Sequence, residues 1–468
     1  MRSRFFIAAI TFFLSLVMHP EVQAEGPRKP NIIYILLDDA GYADLSCYGQ
    51  QKFSTPNIDS LADKGMKFIQ HYSGSTVCAP TRCCLMTGQH TGHSVVRGNR
   101  EVQPEGQAPM PADVVTIPRL LRQAGYTSGM FGKWGLGAPG SSSDPMEHFD
   151  VFYGYNCQRK AHSYYPESLW SNREKIMLNG ESYAHDLIIQ QALKFIRDHQ
   201  AGPFFLYVPV TVPHAALQVP AESHDRFRTI FQEFDNVEGK YAGSTITNPA
   251  AAFAGMMTRL DSQIGEMLKL ISELELEENT LFMLSSDNGP HQEGGHMPDF
   301  FDSNGPFRGH KRDLYEGGIR TPLLAMWKGT IEPGSYSAMI SAHWDMLPTF
   351  CELAGVTPPT DIDGISLMAE LKGDHKSQRQ HDYLYWEFQE RGRSQAVRKG
   401  DWKAVRNNIK ADPEAPIELY NLTEDLGEEI DLAEQYEDVV AEMDEIMKAA
   451  HTPSTTFPLF ESEAAQSQ

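Results

Sequence analysis

Residues 31–41 read NIIYILLDDAG, an unbroken apolar run from Ile32 to Leu37 that leads straight into Asp38 and Asp39. A strand with no polar alternation has no wet face, so it belongs in a sheet covered on both sides. The same grammar returns at 280–290, TLFMLSSDNGP, where Leu281 to Leu284 lead to Asp287 and Asn288. Either acidic pair alone reads as a turn or a helix cap. Together they end two equivalent buried strands, which is where open α/β sheets carry their sites. Their hard oxygen donors suit Ca²⁺ or Mg²⁺ rather than zinc.

Working outward, Pro56 with Gly65 and Pro118 with Gly125 bracket two helices. Strand-like segments stand at 127–131, 204–210 and 322–327, and longer helices at about 183–199 and 250–274. In the last of these Met256, Leu260, Ile264, Leu268 and Ile271 recur at helical spacing as a core stripe. The alternation predicts an α/β fold, a large mostly parallel sheet sandwiched by helices. Beyond Lys372 the short runs HDYLYWEF, SQAVRKGD, WKAVRN and IELYNL precede an acidic helix at roughly 431–449. They predict a small antiparallel sheet closed by that helix. The expected division is a catalytic domain over 25–372, an α+β subdomain over 373–451 and a mobile tail over 452–468.

Arg2 and Arg4 precede an apolar run from Phe5 to Met18 and the small-residue site Val22-Gln23-Ala24, the pattern of a cleavable secretory signal over 1–24. No stretch reaches the ~20 apolar residues of a membrane span. The expected location is therefore secreted or periplasmic. A net charge of −22 argues against nucleic acid as a partner and requires any anion site to carry its own cluster of cations. Six cysteines are too few for a disulfide scaffold. Cys47, Cys83, Cys84, Cys157 and Cys351 read as buried small apolar side chains, with one bridge among them left open.

Cys78 opens the run CAPTRCCLMTG at 78–88, which resembles the Cys-x-Pro-x-Arg signature of the type I sulfatases, formylglycine-dependent enzymes of the alkaline-phosphatase-like superfamily. The likeness extends over nearly the whole mature chain. TGQHTG, GKWGLG at 132–137, VPHAALQVP around His214, SSDNG, GPFRGHKRDLYEGGIRTP and VRKGDWK…ELYNL follow in family order. The resemblance implies that a formylglycine-generating maturation enzyme oxidises Cys78, and that the hydrated aldehyde attacks sulfur. The resulting covalent sulfo-enzyme then releases inorganic sulfate. It further implies that Asp38, Asp39, Asp287 and Asn288, with residue 78, hold Ca²⁺. Arg82 would brace the nucleophile, Lys133 and Lys311 would clamp sulfate oxygens, and His214 would assist the leaving alcohol. Taken singly, each of these is more often a solvated lysine, a turn histidine or an ordinary ion pair.

The family pattern Gly-Lys-Trp-His-Leu-Gly has Gly135 here in place of its histidine. Either the base that histidine supplies comes from elsewhere, with His162 and His71 as candidates, or the enzyme is slower or altered. Aromatic and polar loops at 153–170 and 290–305 offer Arg159, His162, His291, Glu293, His296 and Asp299 to a sulfated carbohydrate, and they resemble those of bacterial exo-sulfatases acting on galactose or N-acetylgalactosamine units. Two other readings stay open: a phosphoester or phosphonate monoester hydrolase on the same scaffold, and a non-catalytic binder of sulfated glycans.

Overall fold

The computed structural model describes residues 29–464; the expected signal segment lies outside them. Ten strands form one sheet. Its centre is five parallel strands in the order Thr280–Ser286, Asn31–Asp38, Phe204–Pro213, Thr127–Lys133 and Val151–Tyr155. The flanks are antiparallel: Leu323–Met326 pairs with Thr280–Ser286 on one side, and Ser168–Ser171 pairs with Val151–Tyr155 on the other. The sheet is thus mixed at its edges, where Met66–Phe68 pairs antiparallel with Leu323–Met326 and parallel with Ser335–Ser337.

Burial follows the apolar runs. All eight residues of Asn31–Asp38 are buried. Ile33, Ile35 and Leu37 enter the core on one face, and Ile32, Tyr34 and Leu36 enter the core on the other. Each such large side chain contributes roughly 1.5–3 kcal/mol on leaving water, so the strand is held from both sides. The helix Pro249–Glu273 covers the first face through Met256, Leu260, Ile264 and Ile271, with Leu268 only partly buried. The helix Met346–Ala354 packs on the second through Leu347, Phe350 and Cys351.

The C-terminal part holds a four-stranded antiparallel sheet, Leu384–Phe388, Ser394–Lys399, Trp402–Arg406 and Ile417–Asn421, closed by the helix Glu437–Ala449. This helix starts later than its acidic composition suggested. The sheet is welded to the large one by a buried charge cluster. Glu316, the first residue of the short helix Glu316–Ile319, accepts from Lys403 at 3.0 Å and Arg320 at 3.1 Å, while Lys403 also reaches Glu428 at 3.3 Å. The segment after Thr452 differs from the mobile tail expected: as far as Ala464 it is docked. Phe457 and Leu459 are buried, Arg97 donates to the Thr452 hydroxyl at 2.8 Å, and His451 bridges Glu387 and Glu463. All six cysteines are free thiols, five buried and Cys47 half-buried, so no bridge forms among the described residues.

Candidate active site

Parallel strands put their carboxyl ends on one edge, and the site is built there. Asp38 and Asp39 end the strand Asn31–Asp38, Lys133 ends Thr127–Lys133, His214 follows Phe204–Pro213, and Asp287 and Asn288 follow Thr280–Ser286. The pairing of Leu37 with Ser286 sets the two acidic pairs side by side, with the Asp39 amide donating to Asp287 Oδ1 at 3.0 Å. Facing them is the first residue of the helix Cys78–Thr87, every residue of which is buried.

Cys78 Sγ lies 3.3 Å from Asp38 Oδ1 and 3.4 Å from Lys133 Nζ. Arg82, one turn along the same helix, donates to Asp287 Oδ2 at 2.8 Å and stands 3.7 Å from Asp38. Lys133 pairs with Asp38 Oδ2 and Lys311 with Asp39 Oδ2, each at 2.7 Å. His214 Nε2 sits 3.1 Å from Lys311 Nζ and 3.3 Å from Asp39 Oδ2. The metal, Cys78, Arg82, Lys133, His214 and Lys311 positions anticipated from sequence therefore converge on one buried centre.

Burial, then the carboxylates of Asp287 and Asp38, push the Cys78 thiol well above its usual range. A reactive thiol needs the opposite surroundings. Burial, then the neighbouring Lys311, hold His214 well below its usual range, which leaves a neutral imidazole. Burial, then the charge of Asp38, raise Asp287 to about 7.

The donor set fits a hard divalent cation. Asp38, Asp39 and Asp287 bring three carboxylates, and Asn288 turns its amide nitrogen to Asp39 Oδ1 at 2.7 Å, leaving its buried Oδ1 with no partner. An orphaned, fully buried carbonyl beside three carboxylates is the kind of oxygen that Ca²⁺ takes. The charges agree: three carboxylates already face Arg82, Lys133 and Lys311, so a divalent cation would leave a surplus of positive charge for an anionic ligand. A second cluster, His90, His93 and Asp363, is satisfied without metal. The Gly92 amide donates to His90 Nδ1, which leaves Nε2 as the N–H that faces Asp363, and His93 Nδ1 lies 2.9 Å from the same carboxylate.

Gly135 explains the missing histidine in steric terms. Its φ is +74°, and a Cβ there would meet Gln158 Nε2 at 2.8 Å and Cγ at 2.9 Å. The space such a side chain would need is taken by Gln158. Of the two stand-in candidates, His162 stacks face to face on His214 at 4.7 Å, and burial and the charge of Lys133 lower it to about 4. His71 lies elsewhere, bonded to Ser341 and with its ring tilted against that of His343 at 5.2 Å.

The remaining loop residues divide. Glu293 reaches Lys311 at 3.2 Å, and His291 supports it by accepting its amide at Nδ1 while Nε2 meets the Pro213 carbonyl. His296 is placed differently from its expected sugar-binding role: it is buried and stacked on Phe253 at 4.0 Å, behind His291. Asp299 is also displaced from that role, because its side chain is 98% exposed and stands 3.9 Å from the His310 ring. Arg159 faces solvent, committed to Glu101 and the Pro104 carbonyl. Sequence reasoning missed Tyr241, whose ring stands edge-on to both His162 and His214 at 5.1 and 5.7 Å. It comes from a short hairpin, Glu238–Tyr241 with Ser244–Thr247. The readable signal was the Ala242-Gly243 turn, where both residues have positive φ.

Comparison with known proteins gives the family. The sulfatase family model matches residues 30–356, and the model of the N-sulphoglucosamine sulphohydrolase C-terminal region matches 307–452. The chain is 32% identical over 388 residues to N-acetylgalactosamine-6-sulfatase of Canis lupus familiaris, covering 76% of this chain and 68% of that protein. It is 31% identical over 461 residues to arylsulfatase A of Homo sapiens, covering 86% and 83%. The structure of Ps i-CgsB in complex with k-i-k-neocarrahexaose superimposes with a TM-score of 0.78 at 26% identity, covering 94% of this chain and 96% of that one. The chain belongs to the sulfatase family and is a sulfuric ester hydrolase on an alkaline-phosphatase-like scaffold.

Proposed function

We propose that the chain hydrolyses the sulfate ester of a carbohydrate, a sulfated galactose or N-acetylgalactosamine unit, using formylglycine formed from Cys78 and one Ca²⁺ held by Asp38, Asp39, Asp287, Asn288 and residue 78. The observation that carries this reading is the suppressed thiol: Cys78 is buried among acids at the first turn of a helix, where a thiolate is disfavoured but an oxygen nucleophile beside a metal is not. When present, the two groups supply an activated hydroxyl and a divalent charge.

The chain's own residues do the rest. Lys133 and Lys311 offer ammonium groups to the oxygens of the bound anion, with Asp38 and Asp39 fixing their positions. Arg82 ties Asp38 to Asp287, and its charge opposes the rise that burial and Asp38 impose on Asp287. His214, kept in place by Lys311 and the stacked His162, would assist the leaving alcohol through Nε2, and Asp287, raised toward neutrality, would accept the nucleophile's proton. The sugar assignment is supported by the similarity to N-acetylgalactosamine-6-sulfatase. The proposed setting is outside the cytoplasm, after maturation by a formylglycine-generating enzyme. The test is sulfate release from galactose and N-acetylgalactosamine sulfates by chain co-expressed with such an enzyme. Turnover that vanishes in Cys78→Ser supports the reading, and turnover retained in that variant defeats it.

A further inference from the structure

Beside the sulfate clamp lies a second group of side chains that the chemistry does not use. Glu293 bonds Lys311 through Oε2 at 3.2 Å and Arg312 Nη2 through Oε1 at 2.7 Å. Arg312 adopts a left-handed backbone, φ +80°, uncommon outside glycine. Its amide is fixed by the Thr76 hydroxyl at 2.8 Å and the Thr76 carbonyl at 3.1 Å, two residues before Cys78. On its other side Glu390, from the small subdomain, stands 4.0 Å from Nε. The Arg312 and Glu293 side chains keep 24% and 19% of their surface, and Glu390 keeps 37%, so the three open to solvent while Lys311 does not.

Beside the Glu293 loop, Tyr241 is half-buried with its ring edge-on to those of His162 and His214, and no hydrogen bond holds its hydroxyl among the described residues. Its hairpin is docked tightly against the Glu293 loop: a Cβ on Gly239 would fall 1.9 Å from the Gly294 carbonyl oxygen. The wall is therefore set before any ligand arrives.

The charges of this rim are unusual for a protein that binds anions. The Arg312 guanidinium beside the clamp is neutralised from two sides, so the clamp has positive charge for one sulfate and the rim has none to spare for another. What the rim does offer is a carboxylate–guanidinium fork and an aromatic face, the chemistry that reads sugar hydroxyls and the apolar face of a pyranose.

We propose that Tyr241, Glu293, Arg312 and Glu390 form a selective rim that takes a singly sulfated sugar with free neighbouring hydroxyls and turns away one carrying a second anionic group. This rests on the sulfatase reading and deepens it to a substrate class. Tyr241 supplies the stacking face, the fork fixes the hydroxyls, and Glu390 supplies the repulsion that keeps Arg312 from serving a second sulfate.

The test compares galactose 6-sulfate with galactose 4,6-disulfate, by calorimetric binding to the full-length, calcium-loaded Cys78→Ser chain and by turnover of the matured enzyme. The native rim should favour the monosulfate in both. Glu390→Gln should raise affinity for the disulfate about fivefold relative to the monosulfate, the factor that unit charges 4 Å apart produce in water, and Glu390→Lys should raise it further. Added salt should narrow the native preference and leave that of Glu390→Gln nearly flat, a response that a purely structural role for Glu390 would not produce. Equal binding of both sugars by the native chain, or no change in Glu390→Gln, overturns the rim. Selective binding without turnover by enzyme carrying formylglycine overturns the hydrolase reading and leaves the rim standing.

Discussion

Restoring the family's histidine by Gly135→His should weaken the protein, and the structure says by how much. At φ +74° a residue with a Cβ costs about 1–2 kcal/mol relative to glycine. The new side chain would also meet Gln158 Nε2 at 2.8 Å and Cγ at 2.9 Å in a packed setting, and overpacking of that kind costs about 1–3 kcal/mol. The total is on the order of 2–5 kcal/mol. The two contributions separate in a double-mutant cycle with Gln158→Ala, measured by chemical unfolding of Gly135→His, Gln158→Ala and the pair. The steric part should be recovered in the pair, a coupling of about 1–3 kcal/mol, whereas the backbone part should remain. A Gly135→His chain as stable as the native one, or a cycle with no coupling, would refute the claim that backbone and Gln158 together exclude a side chain at this position.

Other outcomes follow from the same geometry. Burial raises Glu428 from its ordinary value to about 7 in the folded chain, so its contribution to stability is full below pH 4.5 and is lost as the pH rises through 7. Glu428→Gln should flatten the fall in melting temperature between pH 5 and pH 8, an effect of about 3 kcal/mol at most, and an unchanged pH profile would count against this cluster as a titrating junction. Calcium at one hundred times its dissociation constant should stabilise the native chain by about 2.7 kcal/mol, and Asp287→Asn and Asn288→Ala should each reduce that gain in a thermal-shift titration. Asp299→Ala should leave kcat and KM unchanged, because its carboxylate is in water rather than at the site.

What could be read in the sequence depended on whether one residue's surroundings were local. The strand Asn31–Asp38 and its acidic end were legible because an unbroken apolar run admits few environments, and the parallel centre followed from repetition of that run. Its antiparallel flanks were not, since three- and four-residue strands such as Met66–Phe68 carry almost no pattern. The Tyr241 hairpin escaped notice for the opposite reason: Glu238, Lys240, Thr245 and Thr247 are exposed, so its polarity resembles that of a loop. His296 and His291 sit five residues apart with similar composition around them, yet the backbone turns one toward Glu293 and the other onto Phe253. The tail misled because Phe457 and Leu459, which dock it, sit in the short run FPLF at 457–460 within an otherwise polar segment.

The central claim is that Cys78 serves as precursor of the nucleophile rather than as a thiol. A mass spectrum of the peptide containing Cys78, from chain co-expressed with a formylglycine-generating enzyme, tests it directly. The account predicts an aldehyde at position 78, trapped by a hydrazine probe; an intact thiol in protein that nonetheless releases sulfate would contradict it.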